Sequence, residues 1–310
     1  MTVSPLRAPV PEEVERPAER AAGARLRFAV EQERPLQVVG AINPLCALLA
    51  EQAGFRALYL SGAGVANASH GLPDLGMTTL EDVLEDARRI TSATKLPLLV
   101  DADTGWGSPQ MIARTVEEFA RAGVAGLHLE DQVEAKRCGH REGKQLVPTA
   151  EMTDRLKAAV DARTDPSFVL MARTDAAAVE GVEPAIERAC RYVEAGADMI
   201  FAEALTSLAD FQRFTAAVKV PVLANLTEFG KTPLLTLDDL RTAGVRLALY
   251  PLTAFRAMNA AAKGAYQTLR QAGTQRDLIG RLQTRAELYE LLNYEALEKA
   301  QDRDHEGRGA

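Results

Sequence analysis

The chain has 310 residues, 47% of them apolar and 25% charged, which suits a folded globular protein of one large or two modest domains. Its net charge of −7 argues against nucleic acid as a partner, and no apolar run approaches the roughly 18–20 residues of a membrane-spanning helix. The 3 cysteines, Cys46, Cys138 and Cys190, are far apart and lack metal or disulfide spacing, so a reducing cytoplasm is the expected setting.

The stretch from Met1 to about Ala22 is rich in Pro, Glu and Arg and has no apolar centre, so residues 1–20 are expected as a flexible tail rather than a targeting signal. Ala21 to Glu31 has helical spacing through Leu26, Phe28, Ala29 and Val30. A rhythm then begins. The apolar run Leu36–Val39 precedes a helix from Pro44 to Ala53, opened by Asn43 and closed by Gly54. The second run, Ala57–Leu60, leads into Ser61-Gly62-Ala63-Gly64 and a long loop before a helix from about Thr79 to Thr91.

The third run, Leu98–Val100, stops at Asp101-Ala102-Asp103, and a helix over Pro109–Ala122 follows. The fourth, Gly126–Leu129, ends in Glu130-Asp131 and feeds Lys136-Arg137-Cys138-Gly139-His140. Helix Ala150–Ala162 precedes run Phe168–Ala172 with Arg173 and Asp175, and helix Pro184–Ala195 precedes Met199–Ala202 with Glu203. Helix Leu208–Ala217 precedes Val222–Ala224 with Asn225 and Thr227, and helix Leu237–Ala243 precedes Leu247–Leu249 with Tyr250-Pro251. Two further helices are expected, Phe255–Gln271 and about Asp277 to Ala300, before a polar tail at 301–310.

Eight apolar runs alternating with helices predict an α/β fold, a (β/α)8 TIM-type barrel spanning 21–300 as a single domain with an N-terminal helix and extra C-terminal helices. An open doubly wound sheet is the alternative, and it lacks the glycine-rich turn expected after the first run. Polar residues stand at the C-terminal end of nearly every run, where a barrel gathers them on one face. This placement points to an enzyme.

Asp101, Asp103 and Glu130 offer hard oxygen ligands for Mg²⁺, or Mn²⁺ as a substitute; the competing reading has Asp103 capping a turn with Gly105 and Gly107. Four histidines without ligand spacing argue against zinc, and His128 is expected as a satisfied wall residue. Arg173 and Arg256 suit carboxylate clamps, so a small polycarboxylate is the expected substrate. The Ser61–Gly64 amides could instead cradle a phosphate. Cys138 sits among Lys136, Arg137 and His140, where a thiol can act as nucleophile or acid; the alternative is an incidental thiol on a solvated basic loop.

Tyr59-Leu-Ser-Gly62, Gly71-Leu-Pro-Asp74, Asp101-Ala-Asp103, Glu130-Asp131, Lys136-Arg-Cys-Gly-His140, Met171-Ala-Arg-Thr-Asp175 and Asn225-Leu-Thr-Glu228 resemble the isocitrate lyase and phosphoenolpyruvate mutase superfamily. The cysteine of the loop motif marks its carbon–carbon lyases, and Tyr250-Pro251, Thr253–Arg256 and Thr284-Arg285 resemble the methylisocitrate-cleaving branch. The resemblance implies Mg²⁺-dependent cleavage of 2-methylisocitrate to pyruvate and succinate, in the methylcitrate cycle of propionate catabolism. Isocitrate cleavage, an oxaloacetate decarboxylase-like activity, carbon–phosphorus chemistry and a non-enzymatic binding barrel are the alternatives.

By the same resemblance the substrate contacts are Ser61, Gly62, Ala63, Cys138, Gly139, Arg173, Glu203, Asn225, Leu226, Thr227, Arg256 and Arg285. Asp101 and Asp103 would hold the metal, with Asp74 and Glu130 in its outer surroundings. Tyr59 is the expected base for the substrate hydroxyl and Cys138 the expected proton donor, with Lys136, Arg137 and His140 tuning the thiol and its loop. Ala63 replaces a common glycine, and Pro44 and Cys46 alter a segment near the mouth. A homotetramer is expected, with the last helix exchanged between subunits and bringing Arg285 to a neighbour's site.

Overall fold

The computed structural model describes residues 20–308, and the eight apolar runs are its strands: β1 (Leu36–Gly40), β2 (Ala57–Leu60), β3 (Leu98–Asp101), β4 (Gly126–Glu130), β5 (Val169–Thr174), β6 (Met199–Ala202), β7 (Val222–Asn225) and β8 (Leu247–Tyr250). They pair in parallel in chain order, and Leu36–Leu247 pairing of β1 with β8 closes the barrel. Most of the tail expected over 1–20 falls outside the described residues.

Strand alternation explains how the sequence fills the barrel. Leu36, Val38, Leu99, Val169, Met171, Met199, Leu223 and Leu247 belong to the inner apolar cluster. Their neighbours Val39, Leu58, Leu98, Leu127, Leu170 and Ile200 belong to the second cluster, which packs the strands against the surrounding helices. Two-residue steps continue the inward face from apolar to polar: Leu99 to Asp101, Met171 to Arg173, Leu223 to Asn225. Polar side chains therefore crown an apolar plug. Helix α1 (Ala22–Gln32) contributes Leu26, Ala29 and Val30 to the inner cluster and seals the other end.

The outer helices α2 (Pro44–Gln52), α3 (Gly62–Ser69), α4 (Leu80–Ala93), α5 (Pro109–Arg121), α6 (Thr149–Ala162), α7 (Val182–Glu194), α8 (Leu208–Ala217) and α9 (Leu237–Thr242) alternate with the strands, with one extra helix after β2. Asn43 caps α2 by accepting from the Cys46 N–H at 2.9 Å, and Thr79 and Asp82 form a reciprocal capping box on α4.

Two expectations are corrected. The long loop after β2 contains α3, whose two glycines have low helix propensity but whose first N–H is held by a buried carboxylate. The single helix expected over 277–300 is interrupted: after α10 (Thr253–Ala272) come a 3-10 turn (Arg276–Arg281), α11 (Arg285–Leu291) and α12 (Tyr294–Arg308). Thr284 and Glu287 form a capping box that starts α11, and Asn293, with φ of 53°, ends it. The polar stretch expected as a tail from 301 is helical as far as Arg308.

Candidate active site

At the C-terminal mouth a cavity of about 190 Å³ opens into a larger vestibule of about 620 Å³. Most of the predicted residues meet there. Tyr59, Ser61, Ala63, Asp101, Arg173, Glu203, Asn225 and Thr227 line the cavity from the strand ends, and Arg256 from α10. Asp74 and the loop residues Lys136, Arg137, Cys138, Gly139 and His140 complete its wall. Asp103, Glu130 and Leu226 are buried and do not line it. Arg285 is exposed and also lies outside it, so this chain alone does not bring it to the site.

Asp101, Asp103 and Glu130 bring one carboxylate oxygen each to within 4.8 Å of one another, all buried. Both Glu130 oxygens lack a hydrogen bond, although one lies 3.3 Å from the Arg173 guanidinium. Asp103 adopts the left-handed region with φ of 46°. Its Oδ1 lies 2.8 Å from the Lys136 ammonium without hydrogen-bond geometry, which removes the turn-capping reading. Burial would raise Asp101, but His128, Lys136 and Arg173 outweigh it and bring that carboxyl down to about 2. Burial and the Asp101 charge push Asp103 up to about 7, and burial lifts Glu130 well above its ordinary value. A buried, converging carboxylate trio in which Asp103 Oδ1 and both Glu130 oxygens lack hydrogen bonds is the donor set of a hard divalent cation.

The N-terminus of α3 supports this trio, because the Gly62 N–H donates to Asp101 Oδ2 at 3.1 Å. The Gly62 amide is thereby engaged by a carboxylate, which weakens the phosphate-cradle reading. A Cβ at Gly62 would come within 3.2 Å of both Asp101 Oδ2 and Asp103 Oδ1. The Tyr59 hydroxyl lies 2.8 Å from His128 Nε2 and 3.4 Å from Asp101 Oδ2. Burial and Asp101 raise the Tyr59 phenol well above its ordinary value, which opposes the base expected there: the group is held as a neutral phenol. Burial pushes His128 down to about 4, so the ring is neutral. Its Nδ1 has no partner, so His128 is a member of the site rather than the satisfied wall residue expected.

Arg173 lies over the Phe201 ring at 5.1 Å and forms a forked pair with Asp175, at 2.9 and 3.2 Å. Its remaining edge faces Glu130 and Glu203 at 3.3 and 3.4 Å. Glu203 is held well below its ordinary value, as Arg173 and His140 overcome the effect of burial. The Lys231 N–H donates to His140 Nδ1 at 2.9 Å, which leaves the Nε2–H facing Glu203 Oε1 at 3.1 Å.

These contacts revise the expected loop chemistry. Lys136 pairs with Asp74 and Asp103, His140 faces Glu203, and Arg137 donates to the Glu142 carbonyl at 3.3 Å. Carboxylates and a carbonyl are stronger partners for these donors than a thiol, so all three fix the loop. Cys138 is left half-buried on the cavity wall. His128 and Phe201 were missed as site residues, yet each stands two positions before a polar strand end and shares its face. Lys144 and Gln132, which brace the loop, lie in a stretch without periodicity and left no such signal.

A parallel barrel that gathers a cation-suited carboxylate trio, an arginine–carboxylate network and a loop thiol at one mouth is the frame of a polycarboxylate-handling enzyme. The family model described as phosphoenolpyruvate phosphomutase matches residues 26–270, and the chain belongs to that family, within the isocitrate lyase and phosphoenolpyruvate mutase superfamily. A relative from Shewanella oneidensis, 2-methylisocitrate lyase, is 61% identical over 283 residues, covering 91% of this chain and 97% of the relative. The crystal structure of 2,3-dimethylmalate lyase has a TM-score of 0.85 at 35% identity, covering 92% of this chain and 96% of that one. Phosphonopyruvate hydrolase, solved in complex with oxalate and Mg²⁺, has a TM-score of 0.81 at 30% identity, covering 92% and 99%.

Proposed function

We propose that the protein is a 2-methylisocitrate lyase that releases pyruvate and succinate, a step of the methylcitrate cycle in propionate catabolism. The observation that carries this reading is Cys138 on the wall of a cavity also lined by Asp101, one of three converging buried carboxylates suited to a cation. The 61% identity to a relative of that name supports the choice of substrate.

Asp101, Asp103 and Glu130 would hold Mg²⁺, for which Mn²⁺ could substitute. When bound, the cation would lower the pKa of a coordinated hydroxyl and offset negative charge growing on its oxygen. Tyr59, as the neutral phenol, donates a hydrogen bond toward that oxygen. Ser61 and Ala63, at the start of α3, meet one substrate carboxylate, with Gly62 bracing Asp101 between them; Arg173, Asn225, Thr227 and Arg256 orient the rest. The hydroxyl gives up its proton to solvent and its oxygen becomes the pyruvate carbonyl. As the bond between the carbinol carbon and its neighbour breaks, the electron pair moves onto the carbon beside the succinate carboxylate. Cys138 delivers a proton to that carbon, with Gly139 allowing its loop to approach Arg173 and Glu203, and the thiolate left behind regains a proton from solvent.

Cys138→Ser is expected to lower kcat by about 100- to 10,000-fold, the range of a lost acid–base group, in a coupled assay for pyruvate. Wild-type turnover by the serine variant would remove Cys138 from this role. The assay compares 2-methylisocitrate with isocitrate, with and without Mg²⁺, because one methyl group is worth only about 1–3 kcal/mol of discrimination.

No described helix is long and apolar enough to cross a membrane. The reading extends to a cytoplasmic homotetramer with exchanged C-terminal helices, supported by free cysteines and by the exposed apolar side chains of the C-terminal helices.

A further inference from the structure

The Cys138 loop is braced at its base and at its tip. An antiparallel bridge joins Gln132 to Leu146, and the Val133 N–H donates to the Gln145 carbonyl at 3.0 Å. The Gln132 side chain grips Arg137 from both sides, accepting from its N–H at 3.0 Å and donating to its carbonyl at 2.9 Å. Neither contact ties the tip to the barrel.

Beside the ties of Lys136 to Asp103 and of His140 to Glu203, Lys144 adds one that engages the loop backbone itself. It is 7% exposed, and its ammonium donates to the Gly139 carbonyl, one residue from Cys138, and to Asp175 Oδ1 at 2.9 Å. Asp175 is the forked partner of Arg173, and its own N–H is held by Asp131 Oδ1 at 2.9 Å. A buried ammonium is costly unless its hydrogen bonds are met. Here one of its acceptors belongs to the loop and the other to the barrel, so its two partners are met together only when the loop lies down.

We propose that Lys144 is a positioning residue, a latch that ties the closed Cys138 loop to the Arg173–Asp175 pair. Closure of the loop and orientation of Arg173 are then coupled through the same cation. The consequence for turnover rests on the lyase reading above, in which Cys138 meets the substrate carbon; the latch itself does not.

The test uses the full chain carrying Lys144→Met, with Cys138 modification by iodoacetamide followed on its peptide by mass spectrometry. Cys138 is expected to react several-fold faster than in wild type, and succinate with Mg²⁺ is expected to protect it less. With 2-methylisocitrate, kcat should fall by about 100-fold, the scale of an ångström-level misplacement, with a smaller change in KM. Lys144→Arg should recover part of both. A cation serving only as a buried counter-ion to Asp175 would change the melting temperature and leave the alkylation rate alone.

Wild-type Cys138 reactivity in folded Lys144→Met would overturn the latch. Should that variant fail to fold, Lys144→Gln, which is shorter and neutral, is judged by the same rate. If wild type releases no pyruvate, the lyase reading fails, while the difference in alkylation still decides the latch.

Discussion

Gly139 shows how tightly the closed loop is fitted. A Cβ there would lie 2.5 Å from Arg173 Nη2 and 2.6 Å from Glu203 Cγ. Both neighbours are buried and ion-paired, so neither can move aside cheaply. Gly139→Ala should therefore hold the loop away from Arg173 and lower kcat/KM by about 100-fold while leaving the barrel folded. Steady-state kinetics beside a thermal melt would check this, and unchanged kinetics would mean that the loop does not work in this position. Asp103 carries a second prediction. Its carboxyl is pushed up to about 7, so the fold favours the protonated form. The stability this gives is complete below the ordinary carboxylate range and is lost as pH rises through about 7. A divalent cation should reverse the loss by pairing with the ionised group. Melting temperatures from about pH 5 to about pH 8, in EDTA and in Mg²⁺, should show a cation-induced rise that grows with pH and disappears in Asp103→Asn. A pH-independent rise would place the cation elsewhere. Residues at strand ends were legible because Asp101, Arg173 and Asn225 each follow an apolar run. Lys144 was not, because a buried cation in an aperiodic loop differs from a solvated one only through partners that the fold supplies.

Among the elements, the strands were the most readable. A barrel strand is buried on both faces, so runs such as Ala57–Leu60 and Met199–Ala202 stand out as short continuous apolar segments. Helix starts were readable where chemistry marks them, as at Asn43 and Thr79. The helix α3 was hidden because Gly62 satisfies the packing against Asp101 and Asp103 rather than helix propensity. Its N-terminus has to approach the acidic trio closely, and small residues permit this at the expense of local helix strength. The break before α11 was hidden for the opposite reason. Leu282, Leu288 and Leu291 continue an apolar spacing across it, while Thr284 and Asn293 impose the ends locally. Periodicity reports the face a segment shows to a partner and does not by itself report continuity.

For the molecule as a whole, the C-terminal helices leave an imbalance. Helix α10 runs for 20 residues without a single buried side chain, and Met258, Tyr266, Leu269, Ile279, Leu282 and Leu292 are exposed. The outer barrel helices, by contrast, bury apolar residues, as α4 does through Val83, Leu84 and Ile90. Concentrated apolar exposure calls for a covering surface, and exchange of this region between identical chains would supply one. It would also carry Arg285 from one subunit to a neighbour's cavity, where Cys138 of that neighbour waits. Two variants, Cys138→Ser and Arg285→Ala, should then each lower pyruvate release when assembled alone. Co-expression and isolation of mixed oligomers should recover activity above either, because a site can combine Cys138 from one chain with Arg285 from another. Light scattering on the same samples should give a tetramer mass. If each site is built from one chain, every mixed site still lacks one of the two residues, and no recovery will be seen.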